Sequence, residues 1–412
     1  MAVDATRPIA ALALGESASV AWRALWTSRL LIIAAGIGAV LIWGLSGVHD
    51  LFDTTHLLSP FGHTGNTLVA PFARWDSRWY LDVANHGYDA SIPGRPHAAF
   101  FPLYPLLLAI GGAITGQPLI AGIVISCVCA FFAFAFLHRL TEIELGDDAA
   151  RHTVYLLAFS PMAFFLSAVY SEALFLMLSV GCVLAARTGR WPWAATAGVL
   201  AAATRNSGIL LMLPLALIWY QRRDRWVDFA WILFIPLGLI AFGLWTADHG
   251  GSFTDMFHAA KFWHREFDGP FSAVWQGITA AWDGARQLLS GSETPIYFRK
   301  AGGHPFVVAW HNLLPIPFLI AAAWMLIGAI RRLPIAYWSY ALVSLALVLS
   351  YPDIPQPLAS FPRYMLVVFP LFMWLGWWVS RGSRTRMAVV YGVCAFGLVA
   401  FTAQFATWHW VA

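Results

Sequence analysis

Long apolar runs separated by short basic junctions fill this chain from about residue 30 onward, and no other feature limits its fold as severely. A helix needs about 20 apolar residues to cross the hydrocarbon core, fewer where its neighbours support it. By that measure residues 30–45, 119–137, 154–169, 173–186, 193–203, 209–220, 229–246, 307–330, 336–351, 364–379 and 387–408 are candidates, giving about eleven spans. Residues 100–115 form a further apolar run, but it carries Pro102, Pro105, Gly111 and Gly112 and reads as a segment that dips into the membrane or lies on it. The expectation is an all-α polytopic integral membrane protein.

Composition supports that class. Charged residues make up 11% of the chain and hydrophobic ones 59%, whereas a soluble domain carries roughly a quarter charged residues. A separate soluble domain is not expected, so residues 1–412 read as one membrane domain with two large loops, 49–118 and 248–305. The net charge of +4 comes from Arg and Lys near span ends and reads as a topology signal, not a nucleic-acid surface. Cys127, Cys129, Cys182 and Cys394 lie in apolar runs without metal or redox spacing and read as small hydrophobes. The run after Arg29 lacks a convincing cleavage site and reads as a retained first span.

Arginines and lysines next to span ends collect on the cytoplasmic side. With Arg7, Arg23 and Arg29 placed inside and residues 100–115 not counted as a span, the junctions holding Arg139 with Arg151, Arg187 with Arg190, Arg222 with Arg223 and Arg225, Arg331 with Arg332, and Arg381 with Arg384 and Arg386 all fall inside as well. The loops left outside are 49–118, the Tyr170-Ser171-Glu172 corner, the Thr204-Arg205-Asn206-Ser207-Gly208 corner, 248–305 and 351–363. Nearly every polar residue that does not orient a span thereby shares one face. A transporter would place ionisable groups near mid-membrane and often show paired broken helices, and neither pattern is evident.

The first of these loops holds Arg74-Trp75-Asp76-Ser77-Arg78-Trp79-Tyr80, then His86-Gly87-Tyr88-Asp89 and Phe100-Phe101-Pro102-Leu103-Tyr104-Pro105. A carboxylate among aromatic walls is suited to take a proton from a hydroxyl nucleophile, and sugar rings stack on such walls. The competing account is an interfacial helix anchored by its tryptophans. Glu172 reads as a functional acid at a span end or as a first-turn helix residue behind a capping serine. Arg205 and Arg363 are outward-side arginines whose planar guanidinia suit a phosphate or pyrophosphate, or else a salt bridge to Glu172 or Asp353. The histidines, 49, 56, 63, 86 and 97 early and 258, 264, 304 and 311 later, match no familiar metal spacing. No cofactor is indicated beyond an unsupported divalent metal. Outside the cytoplasmic membrane a transferase has no nucleotide-sugar pool, so its sugar would come from a lipid phosphate.

At these residues the chain resembles the GPI mannosyltransferase II (PIG-V) family, in its bacterial branch. The shared elements are Arg74-Trp75-Asp76 with Tyr80 and His86-Gly87-Tyr88; the Phe100–Pro105 run; Ser160-Pro161 with Phe164–Glu172; Thr204–Gly208; and Ser360-Phe361-Pro362-Arg363-Tyr364 with Phe369–Phe372. The resemblance implies a GT-C type glycosyltransferase that takes mannose from a polyprenyl-phosphate carrier and inverts the anomeric centre. It makes Asp76 the catalytic base. Arg363, Arg205, Tyr364 and Arg74 would then bind the donor phosphate. Trp75, Tyr80, His86, Tyr88, Asp89, Tyr104, Tyr170, Glu172 and Asn206 would line the substrate cavity. The implied partners are a lipid-linked mannose, a glycolipid or glycan acceptor of the cell envelope, and the bilayer. A lipid-linked sugar flippase and an inactive envelope-assembly scaffold are the rival readings.

Overall fold

The computed structural model describes residues 15–89, 91, 94–299 and 302–411, and among these it contains helices and no strand. Five helical segments are long and apolar enough to cross a bilayer unaided: Gly15–Trp43, Pro118–Leu145, Trp226–Asp248, Pro305–Arg332 and Arg384–Ala406. The other expected spans hold shorter helices, Asp147–Ala158, Glu172–Arg187, Trp191–Ala202, Met212–Arg222, Ile335–Leu349 and Phe369–Ser380.

The short helices form the centre. A helix that is apolar on every side has no face for water and must be enclosed. Leu174, Leu176, Val180, Cys182 and Val183 of the 16-residue Glu172–Arg187 helix are buried, as are Phe369, Leu371, Met373 and Val379 of the 12-residue Phe369–Ser380 helix. The long helices instead leave large side chains uncovered, among them Leu41, Ile42, Val128, Ile320 and Phe396. With a bilayer as solvent, that surface faces acyl chains.

The two ends of the bundle differ. At one end the basic junctions meet acidic partners: Arg187 Nε donates to Glu144 at 2.6 Å, Arg151 pairs with Glu16 and Asp147, and Arg222 with Asp224. The Tyr337 hydroxyl donates to the same Glu144 at 2.7 Å. The other end holds the starts of Glu172–Arg187 and Phe361–Leu366, the corner after Trp191–Ala202, and the start of Ser77–His86.

One sequence expectation changes here. Arg29 does not flank the first span. The helix starts by Gly15, so Arg29 stands at its midpoint, 4% exposed, with Nη1 donating to Ser28 Oγ at 2.9 Å and its guanidinium carbon 5.7 Å from the Phe134 ring. The moderately polar stretch before it continues the helix and is not a tail; Arg7 lies outside the described residues. Residues 100–115 contain the helix Leu103–Thr115, whose 13 residues span about 20 Å against roughly 30 Å of hydrocarbon. Gly116, at φ 75°, ends that helix in a conformation that suits glycine, and Pro118 opens the next. The chain therefore folds back as a tight hairpin.

Candidate active site

Asp76 stands at the head of the Ser77–His86 helix, immediately after Trp75 at φ 52°, a left-handed conformation that costs a bulky residue about 1–3 kcal/mol. Tyr170 holds this turn closed: its hydroxyl donates to Arg74 O at 3.0 Å and accepts from Asp76 N at 3.1 Å. Arg363 follows a second strained residue, Ser360 at φ 62°, which opens the Phe361–Leu366 helix. Local strain thus aims both side chains, and they meet. Arg363 Nη1 donates to Asp76 Oδ2 at 2.6 Å, across 287 residues of chain.

Glu172 supplies the second acid. It is 1% exposed at the first turn of its helix, where the macrodipole favours a negative charge. Its Oε1 lies 3.0 Å from Arg205 Nη1 and 3.3 Å from Arg363 Nε, while Oε2 is buried without a hydrogen-bond partner. Burial alone would pull the Arg363 guanidinium down, but Asp76, Tyr364 and Glu172 outweigh it and hold the group well above its ordinary value, firmly cationic.

A third arginine comes from the second large loop. The Tyr364 ring has the guanidinium carbons of Arg205, Arg265 and Arg363 at 5.1, 5.9 and 5.1 Å from its centroid. Arg265 Nη2 donates to Ala359 O at 2.7 Å, and its Nε lies 3.9 Å from Asp353, whose carboxyl is pushed up by burial against the pull of Arg265. Asp76 and Glu172 face the guanidinia of Arg205 and Arg363, and Asp353 is the carboxylate beside Arg265. Three planar guanidinia gathered around the Tyr364 ring are chemically suited to an anion that competes with these carboxylates.

The other residues singled out in the sequence have different placements. Arg74 Nε and Nη1 donate to the carbonyls of Ala406 and Ala70 at 3.0 and 2.5 Å, with the guanidinium over Trp408, so this side chain braces the first loop to the chain's C-terminal end and is not turned to the carboxylate cluster. Trp75 packs edge-on against Phe52, Trp408 and Trp410. Tyr80 shares a 2.8 Å hydrogen bond with Ser171, next to Glu172, and burial raises its phenol so that it stays protonated. Tyr104 is fully buried and bonded to Ser126 at 3.0 Å. His86 is exposed and contacts Asp82 Oδ1 at 2.8 Å; buried His97 takes the other oxygen at 2.8 Å. Tyr88 donates to Phe100 O at 2.5 Å and lines a cleft with Asp89, Arg95, His97, Trp245 and Asp255. Asn206 is exposed beside Arg205. Among the described residues no group of three or more His, Cys, Asp or Glu side chains is placed to hold a metal ion. Sequence reasoning missed Arg265, because its loop carries no motif that sets it apart from other basic loop residues.

Most of this geometry falls within one stretch of sequence. Residues 62–219 match the family model described as mannosyltransferase (PIG-V). Over that segment the chain is similar to the mannosyltransferase (PIG-V) family, and the match covers less than half of its length. Asp76, Tyr170, Glu172 and Arg205 lie inside the matched segment, and Arg265, Arg363 and Tyr364 lie beyond it. GPI alpha-1,6-mannosyltransferase 2 of Cricetulus griseus is 31% identical over 155 residues, and that of Homo sapiens 27% over 154. Each match takes 35% of this chain and spans 30% of the relative's length. The crystal structure of ArnT from Cupriavidus metallidurans bound to undecaprenyl phosphate aligns over 83% of this chain and 80% of its own, at 14% identity and a TM-score of 0.35, too loose a likeness to set residue correspondence.

Proposed function

We propose that this protein is a GT-C type mannosyltransferase that moves mannose from a polyprenyl-phosphate carrier to a hydroxyl of an envelope glycolipid or glycan, on the extracytoplasmic side and with inversion. The observation that carries the reading is the Asp76–Arg363 pair at 2.6 Å beside a guanidinium cluster, at the end of a membrane bundle whose matched segment supplies the acid. The basic junctions gather at the opposite end, which by the positive-inside rule is the cytoplasmic one.

In this reading the donor phosphate takes the Tyr364 side of the cluster, against Arg205 and Arg265. Arg363, already committed to Asp76 and Glu172, fixes the base in place. The Asp76 carboxylate accepts the proton of the acceptor hydroxyl as its oxygen attacks the anomeric carbon from the face opposite the phosphate. The bond from that carbon to the phosphate oxygen breaks, and the charge growing on the leaving phosphate is offset by the guanidinia. Pre-positioned cations in a site with little water are worth more here than at a surface.

Purified protein in nanodiscs, given polyprenyl-phosphate-linked radiolabelled mannose and an envelope glycolipid fraction, tests the reading. The expected result is free polyprenyl phosphate and labelled glycolipid in equal amounts. Recovery of the donor with its glycosidic bond intact would refute transfer.

A further inference from the structure

The loop between the candidate spans Trp226–Asp248 and Pro305–Arg332 contains a 19-residue helix, Ser272–Ser290, for which glycosyl transfer assigns no task. One face is small and packed. Ala273, Gly277, Ala281 and Gly284 are buried, and at Gly284 a Cβ would stand 2.7 Å from Ala309 O, so the helix presses its backbone against Pro305–Leu313. Another face is large and bare: Phe271, just before the helix, and Trp275, Ile278, Trp282 and Leu289 within it are 40, 74, 47, 66 and 88% exposed. Spacings of three, four and seven residues place Trp275, Ile278, Trp282 and Leu289 on one line along the helix, with Phe271 at its head. Thr279, Asp283 and Arg286 flank that line on one side only.

Water is a poor neighbour for two such tryptophans in a row with isoleucine and leucine. A narrow apolar line rich in Trp, with a polar edge, is the build of a helix lying in a bilayer interface. The adjoining surface fixes the occupant. Pro305–Leu313 exposes Val307 and Trp310 at 50 and 52%, and the same candidate span continues with Ile320, Trp324 and Ile327 at 64, 42 and 50%. The bare line is thus carried by a helix packed directly on a candidate spanning segment whose own exposed side chains face acyl chains.

The geometry points to Ser272–Ser290 as a membrane-inserted helix, lying in the leaflet at the active-site end with Phe271, Trp275, Ile278, Trp282 and Leu289 among the acyl chains and Asp283 and Arg286 at the headgroups. The helix is tied to the site: Gln276 hydrogen-bonds Asp268, whose backbone N donates to Ser350 O at 3.1 Å, three residues after Arg265. Insertion itself rests on exposure and spacing and holds whether or not the protein transfers mannose.

The test uses full-length protein in phosphatidylethanolamine–phosphatidylglycerol nanodiscs, with its four cysteines replaced by alanine and a nitroxide placed through Trp275→Cys, Trp282→Cys or Asp283→Cys. Should the cysteine-free chain fail to fold, a ketone-bearing amino acid at the same positions carries the label in the otherwise native protein. Oxygen partitions into the acyl region and a nickel chelate into water. Insertion predicts a ratio of oxygen to chelate collisions about threefold higher at 275 and 282 than at 283. Equal ratios at the three positions would put the line in water. Labels at 275 and 282 that neither collider reaches would put a second copy of the chain there. Either outcome overturns the proposal.

Discussion

Asp76→Asn separates chemistry from architecture in this site. The substitution keeps the size of the side chain and an amide oxygen that still accepts from Arg363, so a charge-assisted hydrogen bond becomes an ordinary one at a cost of about 1 kcal/mol. The Asp76 side chain is 22% exposed and Arg363 keeps Glu172 3.3 Å from its Nε, so the guanidinium is not stranded when the charge goes. Proton abstraction has no such substitute. An amide does not take the acceptor proton, and loss of a positioned base lowers the rate about 10³-fold, equivalent to about 4 kcal/mol of barrier. Single-turnover transfer from labelled lipid donor, read by mass spectrometry, and thermal unfolding in the same detergent measure the two effects side by side. The reasoning fails if the variant turns over within about tenfold of the parent. It fails differently if the melting temperature collapses while transfer by the folded fraction is unchanged, which would make the pair a structural strut.

Glu172→Gln should do the reverse: it removes the buried anion that Arg205 and Arg363 share, and thermal unfolding should show a loss of about 3–5 kcal/mol. Arg265→Ala should raise the donor KM about tenfold, with Lys recovering only part because it lacks the planar fork; steady-state kinetics at fixed acceptor read this, and an unchanged KM removes Arg265 from the donor site. Asp353 carries a carboxyl raised by burial, so the folded state holds its proton more tightly than the unfolded chain does and stability declines as pH rises from the ordinary carboxylate range through the raised value. Asp353→Asn should therefore melt higher than the parent at neutral pH, with the gap closing in acid. At Gly208 a Cβ would stand 2.6 Å from Ala201 O, so Gly208→Ala should cost about 1–3 kcal/mol in thermal unfolding and weaken donor binding through Arg205.

The sequence makes the helical segments legible because a bilayer imposes length and apolarity on each one, and those are local properties. It also exposes Asp76, Glu172, Arg205 and Arg363 as candidates, since charge in so apolar a chain is conspicuous wherever it falls. What each one touches is another matter. The Asp76–Arg363 contact joins residues 287 apart, and no local pattern encodes it. Arg74 reads like a phosphate ligand in one dimension, but in three dimensions it donates to carbonyls that the first loop and the C-terminal end leave open. Tyr170, Tyr88 and Tyr104 likewise direct their hydroxyls to nearby backbone or a neighbouring serine, which is how buried phenols are normally satisfied. Arg29 misleads for a related reason: a cation before an apolar run looks like a flank until the preceding residues prove helical.

The Glu172–Arg187 helix has 16 residues and so reaches about 24 Å, several ångströms less than the hydrocarbon slab it stands in. Longer helices enclose it, so its first turn, with Glu172, need not reach the level of the lipid headgroups. Charge at the start of so short a helix, Glu172 with Arg205 and Arg363 about it, thus stands at membrane depth while its own partners keep it from the acyl chains.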